Sequence, residues 1–577
     1  MKITTARRIS QIFFLSLFMW FCVVMTLGSQ WRQLRGWPVN WFLQLDPLTG
    51  ITTVLTTRSL YAGLLWGLVT IVLTLVLGRI FCGWVCPFGT IHQIAGFLGH
   101  YKSSVKEKIR LNDFHRGQSV KYWILIFFLT AAVLNPSLQT GLLDPIPLLY
   151  RSVNLILMPL ADNISVRYYD EAWSIGIIFF IAVLMNLRIP RFYCRFVCPL
   201  GALLGLLSRF AVWRVIRKDN DALECSHCHL CEKDCQGACQ PSEQLRISEC
   251  LVCMNCLRPC PHELIGYGAE TSASGEILSP DVSRRAFMIS CLSGAAAVPM
   301  LRLSGNIDGP NWNAQLIRPP GALSEKEFLA RCVKCGQCMR ICPSNVIHPA
   351  GLSAGSIEAL WTPVLNFRIG TSGCQFNCIA CGYLCPTAAI RPLSLDERKG
   401  IKQYAVKGPI KTGTAFLDQG RCLPWAMDKP CIVCQENCPV SPKAIGIKEY
   451  FSTVVKSADL PVKQADALHI GLDGNRIPRD RFSTGDYYCV AEGDRQPRRI
   501  TENSENSLTT DSAFPWEPVP KPGAKLEIQI RLQRPFIDPN RCIGCGVCEH
   551  ECPVKGRAAI RVFAENESRN RKHALML

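Results

Sequence analysis

Twenty-four of the 32 cysteines in this 577-residue chain fall into six sets of four, and no other feature narrows the possible folds as much. Cys225, Cys228, Cys231 and Cys235 form a C-x2-C-x2-C-x3-C run, and Cys250, Cys253, Cys256 and Cys260 repeat it with Pro261 behind the last thiol. The run returns at Cys332, Cys335, Cys338 and Cys342 with Pro343, then with a wider first gap at Cys374, Cys378, Cys381 and Cys385 with Pro386. A looser set, Cys422, Cys431, Cys434 and Cys438 with Pro439, precedes a regular one at Cys542, Cys545, Cys548 and Cys552 with Pro553.

Three thiolates two residues apart can hold three irons of a cubane from one short loop whose N–H groups face the sulfurs. In two-cluster ferredoxins the last Cys of each run reaches the neighbouring cluster, and Pro then fixes φ as the chain turns away. The pattern therefore predicts six [4Fe-4S] clusters in pairs. A disulfide scaffold does not need thiols at two-residue intervals followed by C-P, and zinc ribbons use two separated C-x2-C pairs. Cys239, four residues after Cys235, competes with it for one ligand position; Cys235 is favoured because it completes the regular spacing.

The length calls for several domains. Apolar residues crowd the first 210 positions, where four membrane spans are expected: Ile9 to Gly28, Leu60 to Gly78, Tyr122 to Leu142 and Ala172 to Leu187. With the N-terminus inside, segments 1–8, 79–120 and 188–218 carry sixteen Lys and Arg against five in the outside segments 29–59 and 143–171, which places residue 218 in the cytoplasm. The net charge of +18 is then chiefly a topology signal, and no pattern asks for a nucleic-acid partner.

The membrane region repeats itself. Leu45-Asp46-Pro47 precedes the second span and Leu143-Asp144-Pro145 the fourth; Cys82 and Cys86, followed by Pro87, come after the second span, and Cys194 and Cys198, followed by Pro199, after the fourth. Two halves of one orientation suggest a parallel repeat about an axis along the membrane normal, which would bring four thiols together. C-x3-C on a helix puts both sulfurs on one face. A redox dithiol, a metal site, a quinone-pocket lining and inert buried cysteines at a tight helix start all remain open for Cys82, Cys86, Cys194 and Cys198. Trp84, His92 and Arg195 lie nearby. Asp46 or Asp144 could accept a proton, although Asp before Pro is commonly a cap.

Residues 219–270 read as a small ferredoxin module under the cytoplasmic face. Ser283-Arg284-Arg285-Ala286-Phe287-Met288, ahead of a short apolar stretch, reads as a twin-arginine export signal or a fifth membrane segment over 283–305, which would make later residues periplasmic. Two further dicluster modules are expected at 310–400 and 405–577, the latter with a long insertion at about 450–530 whose part near Arg495 to Pro522 reads as loop. The fold class is thus multidomain, a four-helix transmembrane domain with α+β ferredoxin-like modules.

These motifs resemble known proteins. The first 270 residues resemble the NapH type of membrane ferredoxin, in the two C-x3-C-P motifs and the cluster pair after them. From Arg284 onward the chain is similar to the NapG and MauM type of exported polyferredoxin, including Leu316-Ile317-Arg318-Pro319-Pro320-Gly321 before Cys332. The resemblance implies a fusion acting as a quinol dehydrogenase in the bacterial inner membrane. The quinone pool and the bilayer would be partners on one side, and a periplasmic c-type cytochrome or reductase would be the acceptor. Cleavage near Ala297 would give two proteins, and retention one tethered chain. The other class of function is a redox assembly or regulatory factor for a metalloenzyme. No nucleotide loop, flavin fingerprint or acid-base catalyst stands out.

Overall fold

A computed structural model describes residues 3–31, 36–134, 138–161, 167–218, 225–278, 280, 282–302, 313–352, 357–456, 459–474 and 476–575. The start of the expected cytoplasmic module (219–224), part of the third expected span (135–137) and the end of the twin-arginine segment (303–305) lie outside them. The chain divides into two compact units. The first comprises 1–371, 377–410 and 569–571, and the second 372–376, 411–568 and 572–577.

The first unit is built on helices. Among the described residues, two segments, Ile3–Thr26 and Val105–Leu134, are long and apolar enough to cross a membrane. The second and fourth expected spans are shorter apolar helical stretches, Ala62–Leu77 and Ala172–Leu187. The third expected span, drawn from Tyr122 to Leu142, is described as helix as far as Leu134, and Thr140–Leu142 form a 3-10 turn.

The two halves run in the same order. Each has a short helix opened by Asp-Pro (Pro47–Thr57; Pro145–Ser152), an apolar helix (Gly67–Leu77; Ala172–Leu184), a π-type turn (Phe81–Val85; Tyr193–Val197) and a helix opened by Cys-Pro (Pro87–His100; Pro199–Ser208). The halves interlock: Pro87–His100 packs on the apolar helix of the second half, and Pro199–Ser208 on that of the first. The twin-arginine segment is a helix, Arg284–Arg302, lying along Val120–Leu134. A Cβ at Gly294 would sit 2.8 Å from the Phe127 carbonyl oxygen, so the missing side chain permits this approach.

Small sheets accompany the cysteine loops. In the first unit Arg214–Arg217 pairs antiparallel with Ile265–Gly268, and Ile347–Pro349 with Pro363–Leu365. In the second, Thr414–Leu417 pairs antiparallel with Ile560–Phe563.

The reading of the region near Arg495 to Pro522 as loop is wrong. Residues 445–537 form a seven-stranded antiparallel sheet, in the order Ile445–Val455, Leu526–Ile537, Tyr487–Ala491, Arg498–Asn503, Ser507–Thr510, His469–Leu472, Val462–Ala465. Its own core holds Ile470, Cys489, Ile500, Leu508, Trp516, Leu526 and Ile528, with the Arg498 guanidinium 4.1 Å from the Trp516 ring centre. The strands are short and bury one face, so polar residues alternate with the apolar ones and mask them.

A candidate iron-sulfur relay

Four of the six cysteine loops are wound in the same way. The residue two after the first thiol has positive φ, as at His227, Val252, Lys334 and Gly544, and so does the residue after the second thiol, as at His229, Met254, Gly336 and Gly546. Alternation through the left-handed region turns successive N–H groups inward as an anion nest. Cys250, Cys332, Cys335, Cys542 and Cys545 each accept a hydrogen bond from the N–H two residues on. The loops therefore present thiolate-stabilising donors by backbone conformation alone.

The last thiol of each run leaves its own loop. One cavity is lined by Cys225, Cys228, Cys231 and Cys260, while Cys256 lies within electrostatic reach of Cys250, Cys253 and Cys235. Cys385 likewise joins Cys332, Cys335 and Cys338. In the second unit Cys438 joins Cys542 and Cys545, near Cys548, and Cys552 joins Cys422, Cys431 and Cys434. This exchange is the arrangement expected of paired cubanes. Of the fourth run, Cys378, Cys381 and Cys385 belong to the first unit. Cys374 belongs to the second, where its N–H donates to the Cys545 carbonyl at 2.7 Å. Cys342, the last of the third run, is buried in the first unit, its Sγ 3.6 Å from the Ser344 hydroxyl.

Cys235 and Cys239 stand with their sulfurs 3.3 Å apart. Hydrogen bonds to Cys235 and Cys250, reinforced by burial, push the Cys239 thiol well up, and the bond from Cys239 draws Cys235 down to about 6. Cys235, the thiol that completes the regular spacing, is thus the more readily ionised of the two.

Cysteine loops seat on both ends of the helical domain. At one end Arg7 donates to Asn255 (3.2 Å), Trp84 Nε1 to the Val252 carbonyl (2.9 Å) and Arg79 Nη1 to the Ser248 carbonyl (2.7 Å), while Lys121 and Glu249 form a buried ion pair. Arg195 donates to the Gln236 and Cys235 carbonyls and to Asn112. A Cβ on Gly83 would lie 2.2 Å from the Leu251 carbonyl oxygen, so only glycine admits the loop. At the other end Arg340 donates to Thr26 Oγ1, Arg151 Nη1 to the Lys334 carbonyl (3.0 Å), Lys334 Nζ to Gln139 (2.9 Å) and Gln337 Nε2 to the Val39 carbonyl (3.3 Å). Arg7 and Thr26 belong to one helix, Ile3–Trp31, and a rise of ~1.5 Å per residue sets these ends about 28 Å apart.

Between them the four C-x3-C-P thiols converge. Cys86 lies near Cys82 and Cys194, and Cys198 near Cys194, Cys82 and Cys86. The motif is not a continuous helix. Cys86 N–H bonds to the Phe81 carbonyl and Cys198 N–H to the Tyr193 carbonyl, five residues back; Cys86 and Cys198 are then extended, and their sulfurs accept from the N–H groups of Gly89 (3.4 Å) and Gly201 (3.1 Å). Such π turns concentrate at functional sites. Two residues escaped the sequence reading: Arg79 and Arg191, both buried, each three positions before the first thiol of its half. Extending the repeat upstream finds them.

Asp46 caps Pro47–Thr57, accepting from the N–H groups of Leu48 (2.9 Å) and Thr49 (3.4 Å), and Thr49 Oγ1 donates to Asp144 Oδ2 at 3.4 Å, so the two Asp-Pro corners meet. Tyr193 bonds to the Leu143 carbonyl and lies near Cys198, Asp144, Cys194 and Arg151, and Arg151 in turn lies near Cys335 and Cys332. His92 is buried against Phe88 and Tyr193 and bonded through Nδ1 to Asn186, but its Nε2 has no protein partner.

Family models described as 4Fe-4S binding domains match residues 59–106 and 171–218, again 328–348, and 533–554. The doubled match covers the two C-x3-C-P segments. The ferredoxin-type protein MauM of Methylophilus methylotrophus is 32% identical over 183 residues, 31% of this chain and 74% of its own length. The chain belongs to this ferredoxin-type family. YccM of Escherichia coli (strain K12) is 28% identical over 228 residues, 38% of this chain and 57% of YccM; the regulatory protein NosR of Stutzerimonas stutzeri is 26% identical over 220 residues, 38% of this chain and 26% of NosR. No solved structure matches the chain. As a member of this ferredoxin-type family it is an iron-sulfur electron-transport protein carrying several 4Fe-4S binding domains.

Proposed function

We propose that the protein is a multi-pass membrane electron carrier of the quinol dehydrogenase type, linking a membrane quinol through six [4Fe-4S] clusters to a periplasmic cytochrome or reductase. The observation that carries this reading is the succession of sulfur sets through one compact unit, from Cys225 to Cys385, with the four converging thiols in between. Clusters bound there take up and release one electron at a time. The loops hold them by the crosswise cysteines, and the docking contacts fix their separation.

In this reading Ile3–Thr26, Ala62–Leu77, Val120–Leu134 and Ala172–Leu187 cross the bilayer, the shorter ones with the help of flanking residues such as Arg188. Arg284–Arg302 is a retained fifth crossing, its paired arginines marking the cytoplasmic end. A cavity of about 410 Å³ lined by His92, Gln93, Phe97, Tyr101 and Arg191 receives the quinol head group. Oxidation of a quinol releases two electrons and two protons, and in this reading His92, which lines the cavity, accepts the first proton.

In sealed membrane vesicles containing the full chain, added quinol should bleach the cluster absorbance, and His92→Phe should slow the bleaching. A chain that dithionite reduces but quinol does not would overturn the proposal. Protease protection of a C-terminal tag in spheroplasts tests the sidedness. The similarity to a protein named as regulatory favours a second reading, a redox factor in metalloenzyme maturation; loss of the chain would then leave quinol oxidation intact and a partner enzyme unmetallated.

A further inference from the structure

We propose that the cavity beside the start of helix Ile3–Trp31 is a headgroup site for an anionic phospholipid, its phosphate held by arginine and lysine side chains and its acyl chains laid along helix Pro87–His100. The inference rests on the membrane-carrier reading only for a bilayer at this end of the helical domain. The binding itself does not involve quinol.

Charge is the first argument. The cavity, about 410 Å³, is lined by Arg7, Arg8, Lys108, Arg191, Lys233 and Arg258, against one carboxylate, Asp234. Among the described residues none of these six cations is ion-paired. Arg7 and Arg191 are each 1% exposed. Nε and Nη1 of Arg7, Nε of Arg191 and Nε2 of His100, which also lines the cavity, have no hydrogen-bond partner. Arg7 lies near both Arg8 and Arg191, so like charges are gathered here rather than spread. Burying guanidinium groups side by side carries a desolvation and repulsion cost that an anion among them removes. Cys253 is also near Arg7, and a cubane on it offsets part of this charge. The mouth of the cavity, with Arg8 and Arg258 exposed and Lys108 and Lys233 half-buried, remains cationic. The buried wall, with His92 and Arg191, is the part that the quinol reading uses; Arg7 and the mouth take the phosphate.

An apolar stripe supplies the independent argument and separates a lipid from a soluble phosphate. Ile94, Phe97, Leu98 and Tyr101 fall at i, i+3, i+4 and i+7, which is one face of a helix and its first residue beyond. They are 48%, 66%, 67% and 59% exposed, and Phe97 and Tyr101 line the cavity as well. A free phosphate would leave this stripe bare, whereas a phospholipid seated by its headgroup covers it. Basic pockets between membrane helices recognise anionic headgroups in this way.

Full-length protein in neutral detergent is stripped of lipid and examined by native mass spectrometry with phosphatidylglycerol, phosphatidylcholine and inorganic phosphate as separate probes. Wild type should hold phosphatidylglycerol in preference to phosphatidylcholine, and inorganic phosphate should not displace it. Arg8→Gln with Lys108→Gln should weaken that binding about 30-fold. Lys106→Gln with Arg110→Gln, exposed cations outside the cavity, should leave it unchanged. Equal weakening in both double variants would mean that surface charge alone attracts the lipid, and weakening in neither would mean that the cavity does not hold it. Either result overturns the proposal, as does a wild type that binds phosphatidylcholine equally well, exchanges the lipid for phosphate or holds none. If the Arg8, Lys108 variant loses iron, it has failed to assemble, and Arg8→Gln alone, expected to weaken binding about fivefold, decides. No change there overturns the proposal. Counting bound lipid does not read quinol oxidation, so this inference and the quinol reading can fail separately.

Discussion

Replacing Glu249 by Gln tests how the Cys250 loop is held on the helical domain. The Lys121 and Glu249 side chains are 1% and 5% exposed and ion-paired; the Tyr122 hydroxyl donates to Glu249 Oε1 at 2.9 Å, and Arg79 holds the adjacent Ser248 carbonyl. Glu249→Gln keeps the volume and the Tyr122 bond but leaves the Lys121 ammonium buried without its counter-charge. Removing one partner of a buried pair costs about 3–5 kcal/mol. The pair joins helix Val120–Leu134 to the cysteine loop, so the loss falls on docking and lowers the docked-to-undocked ratio by about 10²–10⁴. Lys121→Met with Glu249→Leu removes both charges and should recover most of it, since apolar replacement of a buried pair is often neutral or stabilising. The assay is hydrogen exchange of residues 245–268 in the full chain in nanodiscs, with iron retention measured in parallel. A Glu249→Gln protein as protected as wild type, or a double variant as exposed as the single, would refute the reasoning.

Cys239→Ala should keep its iron and lower the potential of the cluster on Cys235, Cys250, Cys253 and Cys256, because S–H donation to ligand sulfurs favours the reduced state; loss of about four irons instead would make Cys239 the ligand. Glu325 is buried, which alone would raise its pKa, but Arg318 and Arg569 hold it down at about 2. A depressed carboxylate stabilises the fold above its ordinary value and loses that contribution as pH falls toward the folded one. The thermal-stability gap between wild type and Glu325→Gln, on the order of 3 kcal/mol at neutral pH, should therefore narrow below about pH 4.5; a gap independent of pH would contradict this. Arg151→Met removes the donor from the Gly141, Leu142 and Lys334 carbonyls and the cation from over the Trp361 ring at 4.4 Å. At about 1–3 kcal/mol per buried unsatisfied group, hydrogen exchange of residues 332–340 should rise steeply while that of 245–268 stays as it was.

What could be read from the chain alone was whatever is local. The four regular cysteine runs each lie within eleven residues, so their pattern was legible, and so was the Asp-Pro and Cys-Pro repeat. The π turn was not, because one extra residue in a turn leaves no mark in a hydropathy pattern. Arg79 and Arg191 were passed over because a basic residue after an apolar span looks like a topology signal, whereas both are buried beside thiols of the opposite half. The insertion was misread although Leu526, Ile528, Ile530 and Leu532 alternate inward along one strand; Ser, Thr and Asn in the short strands Arg498–Asn503 and Ser507–Thr510 outweighed Ile500 and Leu508.

The repeat also explains why a two-cluster module can sit squarely on the helical domain. Crosswise ligation gives the 225–260 module two equivalent loops, and the membrane repeat offers two equivalent turns. The first-half turn takes the Cys250 loop, through Gly83 and Trp84 against Leu251 and Val252, and the second-half turn takes the chain leaving the Cys225 loop, through Arg195 against the Cys235 and Gln236 carbonyls. Both halves of the repeat therefore hold the module, at unlike points of its two loops. The opposite end is held differently. There the second half grips the Lys334 loop with Arg151, whereas the first half contributes the Thr56 hydroxyl to the Ala330 carbonyl. The two halves thus meet at their four converging thiols but make different contacts at each end of the helical domain, so the module at one end and the Lys334 loop at the other are each held in one orientation.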